Sequence, residues 1–216
     1  MKKVILFDLD GTLIDSTEAI VDSFLSTYKN FNIKPPKIED ILTQIGHPLY
    51  DMFVNLGIDK NEANKFVLEY KKNYRQIHTK KTKLINGAKE AVELAYNSGA
   101  KLGIVTTKTG KYSIELMEYF GLMKYFDTLI GSEDVKKHKP NPEPIYKALK
   151  NLNVSDSSNV YMIGDTCMDM IAATNAGILG IGVEFKYTPL NKLKECSKVI
   201  YSGVFEAVSN ILDNKI

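Results

Sequence analysis

The sequence predicts an α/β protein, a Rossmann-like parallel sheet with helices on both faces and an all-helical segment inserted near its start. Three observations predict it. Short, continuously apolar runs at Val4 to Phe7, Leu102 to Val105 and Val160 to Ile163 are each followed by Asp, Thr or Gly, the pattern of strands buried on both faces. From Gly87 onward helical and strand-like segments alternate, the order that builds a parallel sheet between helix layers. Between the first run and Gly87 the pattern is helical, with no convincing strand.

Each element has its own justification. Val4-Ile5-Leu6-Phe7 runs directly into Asp8-Leu9-Asp10-Gly11-Thr12, so two carboxylates sit where a buried strand emerges. Asp15 as N-cap with Glu18 three residues later resembles a capping box, and Ile20, Phe24, Leu25 and Tyr28 recur at helical spacing. Pro35-Pro36 breaks that helix; Ile38, Ile41, Leu42 and Ile45 begin a second, and a third is expected from about Glu62 to Ile77. Such an insert reads as a second domain over residues 15–83, leaving 1–14 and 84–216 as the α/β core. Beyond it, helices are expected over Ala88 to Asn97 and Tyr112 to Phe120, stopped by Gly99 and Gly121. Asn141 and Pro142 suit the N-cap and first turn of a helix through Leu152. Strands are expected near Phe126 to Ile130, Gly180 to Val183 and Val199 to Tyr201, with helices from Met168 and from about Val204.

Composition narrows the classes. The chain has 216 residues and a net charge of +2, enough for a full core plus an inserted subdomain and no electrostatic case for nucleic acid. Its two cysteines, Cys167 and Cys196, give no disulfide framework or zinc spacing, which predicts a reducing, cytoplasmic setting. The start Met1-Lys2-Lys3 mimics a signal peptide, but Asp8 and Asp10 interrupt the apolar run after four residues. No stretch is long enough to span a bilayer.

The chemistry-bearing residues follow the apolar runs. Asp8 and Asp10 follow the first, Thr106-Thr107-Lys108 the second, and Gly164-Asp165-Thr166 with Asp169 a third; Lys139-Pro140-Asn141-Pro142 follows the segment ending at Ile130. In a parallel sheet these ends face one way, so the sites can converge. Two carboxylates 4 Å apart repel by roughly 4 kcal/mol at an effective dielectric of about 20, which a cation or a shared proton relieves. Asp165 and Asp169 are four apart at an expected helix start and share a face, although helix capping alone also favours acids there. Converging carboxylates offer oxygen-only ligands, which suit a hard divalent cation such as Mg²⁺.

These motifs, in this order, resemble the haloacid dehalogenase superfamily, in the branch holding phosphoglycolate phosphatases, phosphorylated-sugar phosphatases and β-phosphoglucomutase. The resemblance implies that Asp8 is the nucleophile, Asp10 the general acid and base, and Lys139 the charge-offsetting cation. It implies metal ligation by Asp8, the Asp10 main-chain carbonyl and Asp165, with Asp169 acting through water or as an anchor behind the ligands. Thr106 would bind a phosphate oxygen; Thr107 stands where the family often has Asn or Ser. The insert would be a cap closing over the site, with His47 and Arg75 as candidate substrate contacts, while Cys167 and His138 fill no family role. Asp10 argues against dehalogenation, because family members that process haloacids lack that second aspartate. The expected activity is Mg²⁺-dependent hydrolysis of a small organic phosphate monoester by a monomer or small homodimer, without nucleic acid or membrane partners. A sugar-phosphate mutase, an inorganic pyrophosphatase and a catalytically inactive binding protein are the alternatives; Gly11-Thr12 looks more like the phosphatases than the mutases.

Overall fold

The computed structural model describes residues 2–216; Met1, the first residue of the expected core segment and of the signal-like start, lies outside them. In chain order the strands are β1 (Val4–Phe7), β2 (Ile14–Asp15), β3 (Lys83–Leu84), β4 (Lys101–Val105), β5 (Thr128–Ile130), β6 (Val160–Gly164), β7 (Leu179–Val183) and β8 (Ile200–Tyr201). The helices are α1 (Thr17–Asn30), α2 (Ile38–Leu42), α3 (Leu49–Asn55), α4 (Ala63–Ile77), α5 (Ala88–Asn97), α6 (Gly110–Tyr119), α7 (Glu143–Asn151), α8 (Cys167–Ala176), α9 (Leu190–Cys196) and α10 (Val204–Leu212).

Six strands form one parallel sheet in the order β5-β4-β1-β6-β7-β8. Side chains alternate along β1, so Ile5 and Phe7 pack with α5, α6 and α10 while Val4 and Leu6 pack with α7 and α8 on the other face. β1 sits where the strand order reverses, the point at which open α/β sheets place their ligands. The register aligns Phe7 with Ile104 on one side and with Ile163 on the other. Asp8, the turn after Val105 and the Gly164-Asp165 pair therefore emerge at one level.

β2 and β3 pair as an antiparallel ribbon, Ile14 with Leu84 and Asp15 with Lys83, through which the chain leaves the sheet and returns. Between them α1 to α4 bury a separate apolar cluster rich in rings, among them Phe24, Phe53, Phe66, Tyr70 and Tyr74. Tyr187, from the segment after β7, is buried in that cluster, and Tyr112 and Phe185 pack against it.

Several local expectations are corrected. Residue Ser16, not Asp15, is the N-cap of α1, and its hydroxyl donates to Asp10 rather than to the helix. Asp15 lies in β2 and accepts from the Thr17 amide, while Glu18 pairs with Lys81. The insert holds four helices and the two short ribbon strands, because the chain turns at Gly46 (φ +106°) and restarts after Pro48. Asn141 caps by accepting from the Glu143 amide, so α7 starts one residue beyond Pro142. α9 occupies a segment given no element from sequence.

The cysteines are a further correction. Cys167 at the start of α8 and Cys196 at the end of α9 form a disulfide across 29 residues. The helices they terminate pack side by side, which spacing alone does not reveal, and the pairing removes the cysteine argument for a reducing compartment. No helix among the described residues is long and apolar enough to cross a membrane.

Candidate active site

Lys139 organises the deepest part of the site. Its ammonium donates to Asp8 Oδ1 at 2.8 Å, to the Val105 carbonyl at 2.9 Å and to Asp169 Oδ1. Those three contacts use all three of its N–H donors. Lys139, Asp8 and Asp169 are all buried. Burial works against the Lys139 ammonium, yet Asp169 and Asp8 outweigh it and raise its pKa. Burial pushes Asp8 up to about 7, against the pull of Lys139 and with help from the charges of Asp169 and Asp10.

Asp169 is fully committed. Its Oδ1 faces Lys139, and its Oδ2 accepts from the Thr166 amide at 3.2 Å and hydroxyl at 2.6 Å. Thr166 and Asp169 thus form a reciprocal capping box at the start of α8. Gly164 leaves the room this needs, since a Cβ there would lie 2.4 Å from Asp169 Cγ.

Asp165 is the opposite case. It is buried, its Oδ1 faces the Thr12 hydroxyl at 3.4 Å, and its Oδ2 has no partner. Burial, then the charges of Asp8 and Asp169, hold it well above the ordinary carboxylate range. Gly11, at φ +87°, makes this possible: a Cβ there would sit 2.3 Å from Asp165 Oδ2. One carboxylate oxygen from each of Asp8, Asp165 and Asp169 lies within 4.8 Å of the others. An orphaned buried carboxylate oxygen beside a second buried carboxylate is the donor chemistry of a hard divalent cation, so the residues fit one. With both Asp169 oxygens committed, the side chains with oxygen to spare are Asp8 and Asp165.

Asp10 stands at the mouth, held from two sides. The Ser16 hydroxyl donates to its Oδ1, and the Lys108 ammonium lies 3.0 Å from its Oδ2. Lys108 also sits over the Tyr74 ring, 4.7 Å from its centroid, a cation–π contact. Burial opposes the Lys108 charge, but Asp10, Tyr74 and Tyr70 more than compensate, and its pKa is raised. Thr106 is buried and its hydroxyl accepts from the Lys108 amide at 3.1 Å. Thr107 donates to the Gly46 carbonyl at 2.9 Å, joining the β4 loop to the helical layer.

A cleft of about 290 Å³ opens between the helical layer and the ends of the sheet, lined by Asp10, His47, Thr107 and Lys108 together with Tyr70 and Tyr74. The structure therefore gathers Asp8, Asp10, Thr106, Lys139, Asp165 and Asp169 at one end of the sheet, and places Thr107 and His47 in the cleft wall. Arg75 is not brought there. It follows Tyr74 on α4, is exposed, and does not line the cleft. The sequence placed Lys108 and Thr166 among the groups that follow the apolar runs without giving either a role, and Ser16 was passed over.

Comparison with known proteins agrees with this geometry. Residues 5–183 match the family model described as haloacid dehalogenase-like hydrolase. A pyrophosphatase PpaX of Halalkalibacterium halodurans is 36% identical over 174 residues, covering 81% of this chain and 80% of its own length. One from Bacillus velezensis is 37% identical over 179 residues, with coverage of 83% and 82%. The crystal structure of a predicted phosphatase from Clostridium acetobutylicum superposes with a TM-score of 0.89 at 28% identity, covering 99% of both chains. A haloacid dehalogenase-like family hydrolase from Streptococcus pneumoniae gives 0.86 at 25% identity, with coverage of 96% and 97%. With the motifs in order, the parallel sheet and this match across most of its length, the chain belongs to the haloacid dehalogenase-like hydrolase family, among its phosphatases.

Proposed function

We propose that the protein is a Mg²⁺-dependent phosphatase that cleaves a small phosphate ester through a phosphoryl group carried on Asp8. The observation that carries this reading is the pairing of Lys139 with buried Asp8 beside Asp165, whose Oδ2 has no partner. A bound Mg²⁺, held by Asp8 and Asp165 with the Asp10 carbonyl, would supply charge stabilisation for the phosphoryl oxygens.

In the first step the Asp8 oxygen not held by Lys139 attacks phosphorus. The P–O bond to the leaving group breaks, and Asp10 gives its proton to the departing oxygen. In the second step water attacks the phosphorus, Asp10 takes a proton from it, and the Asp8–phosphorus bond breaks to release phosphate. Lys139 holds Asp8 in place and offsets negative charge as it accumulates. Thr106 supports the β4 turn on which a phosphate oxygen would rest. The helices of residues 15–83 act as a cap over the cleft, with the β2–β3 ribbon as its stalk and the Thr107–Gly46 contact as its latch.

Inorganic pyrophosphate is the second reading, favoured by the relatives named pyrophosphatase that match four-fifths of this chain. Phosphate release from 4-nitrophenyl phosphate and from pyrophosphate, with and without EDTA, tests both. Turnover that survives metal removal or Asp8→Asn would exclude the mechanism.

A further inference from the structure

The Cys167–Cys196 bond ties the site end of the sheet to a part of the fold that the proposed chemistry does not use. Cys167 opens α8 and directly follows Thr166, the residue whose amide and hydroxyl hold Asp169 Oδ2. Asp165 lies two positions before it. The start of α8 also meets the cap, because a Cβ at Gly46 would come within 3.3 Å of the Thr166 methyl carbon. Cys196 closes α9, and α9 begins just after the segment from β7 that reaches the cap a second time. There Lys186 pairs with Asp15 at 2.7 Å, and the Tyr187 and Thr17 hydroxyls lie 2.8 Å apart. One covalent bond thus fixes the spacing between the metal-site turn and the strap that grips the base of the cap.

Neither cysteine is fully buried, and the α9 surface beside Cys196, at Lys192 and Lys194, is exposed, so a thiol reagent reaches the bond from solvent. Once reduced, the Cys167 thiol has an acceptor in place, since the Lys192 carbonyl lies 3.4 Å from its sulfur. We propose that the Cys167–Cys196 pair is a redox switch on metal binding, tight as the disulfide and weak as the dithiol. The proposal rests on the phosphatase reading above and gives that site a means of regulation. In the disulfide form α8 starts from a fixed point, and Asp165 and Asp169 keep the positions that gather a divalent cation with Asp8. Reduction takes two electrons and two protons from a dithiol donor. A thiolate of the donor attacks one sulfur and the S–S bond breaks; the donor's second thiol then resolves the mixed disulfide, and the donor leaves as its own disulfide. Cys167 and Cys196 remain as thiols, and an oxidised dithiol reverses the step. Without the bond, the first turn of α8 is held by its capping box and packing alone, and the carboxylates around the cation are less well fixed. Groups that only orient a metal's ligands change its affinity by about 10–100-fold, which sets the scale of the switch.

The test measures Mg²⁺ affinity by calorimetry on the full-length protein, first oxidised and then reduced with a phosphine that is removed without air, with free thiols counted in each state. Reduction is expected to weaken binding by about tenfold. Cys196→Ser breaks the bond 29 residues away from Cys167 and outside the metal site. It is expected to bind Mg²⁺ like the reduced protein and to ignore the reductant. Linkage supplies a second readout that needs no turnover. If the disulfide tightens Mg²⁺ binding, Mg²⁺ must stabilise the disulfide by the same factor. The midpoint potential of the pair, set in dithiol redox buffers, should therefore fall by about 30 mV at saturating Mg²⁺, the value of tenfold for a two-electron couple. A bond that merely staples the fold would raise the thermal stability of the oxidised form and leave both values unmoved. Equal affinities with an unshifted potential, or thiols that stay free in an oxidising buffer, would overturn the proposal and leave the phosphatase reading standing. An oxidised protein that binds no Mg²⁺ would remove that reading, and the proposal with it.

Discussion

Lys139 Nζ lies 2.8 Å from Asp8 Oδ1, with both side chains buried and the same ammonium reaching Asp169. The pair joins the residue after the central strand to a loop 131 positions away, so site and core depend on each other. Lys139→Met would leave two buried carboxylates without their cation. Breaking a buried pair in this way costs about 3–5 kcal/mol, to be read from urea unfolding of the metal-free protein, and turnover should be lost with it. A stability within about 0.5 kcal/mol of wild type would mean that the pair is not maintained in solution.

Asp165 and Asp169 should separate in metal binding. Asp165 Oδ2 has no partner, whereas Lys139 and Thr166 take both oxygens of Asp169. Titration with Mg²⁺ is expected to show Asp165→Asn weakening affinity by about 100-fold or more. Asp169→Asn should cost on the order of tenfold, the usual scale for groups that only orient a ligand. Equal losses would place Asp169 among the direct ligands.

The raised pKa of Asp8 predicts a pH signature in the metal-free protein. Burial lifts it to about 7 in the folded chain, against about 3.9 unfolded, so between those values the folded state binds more protons. Stability then falls as pH rises through that window. In EDTA, the stability difference between wild type and Asp8→Asn should shift against wild type from pH 5 to pH 7.5. Adding Mg²⁺, which favours the ionised form, should stabilise wild type more at the higher pH. A Mg²⁺ effect equal at both pH values would contradict this.

Gly11 is constrained both by its backbone and by its neighbour. A Cβ at φ +87° is strained by itself and would meet Asp165 Oδ2 at 2.3 Å. Gly11→Ala is expected to lose about 1–3 kcal/mol of stability from the backbone alone. It should also weaken Mg²⁺ affinity, because Asp165 must move. Unchanged affinity in a folded Gly11→Ala variant would show that Asp165 is not the ligand.

Much of this site could be read before the fold was known, for a physical reason. Asp8, Thr106 and Asp165 each follow an apolar strand, and parallel strands at one register deliver their C-terminal residues to one place. Lys139 stood out among many lysines by its position before Pro-Asn-Pro. Lys108 was not legible in the same way, because its meaning lies in a side chain that spans from the β4 loop to Asp10 and Tyr74. Neither partner is near it in sequence. The Cys167–Cys196 bond was hidden likewise, since it depends on how α8 and α9 pack. Arg75 went astray for a simpler reason: α4 turns Tyr70 and Tyr74 inward, and the next residue points about 100° away.

The most direct measurement is chemical capture of the phosphoryl group. Wild-type protein turning over substrate would be quenched in acid within milliseconds, reduced with tritium-labelled borohydride, which displaces phosphate and converts an Asp8 acyl phosphate to labelled homoserine, and mapped by mass spectrometry. Label on the peptide containing Asp8, absent in Asp8→Asn, is the predicted result. Phosphate released at full rate with no label on Asp8, and with Asp8→Asn still active, would contradict it.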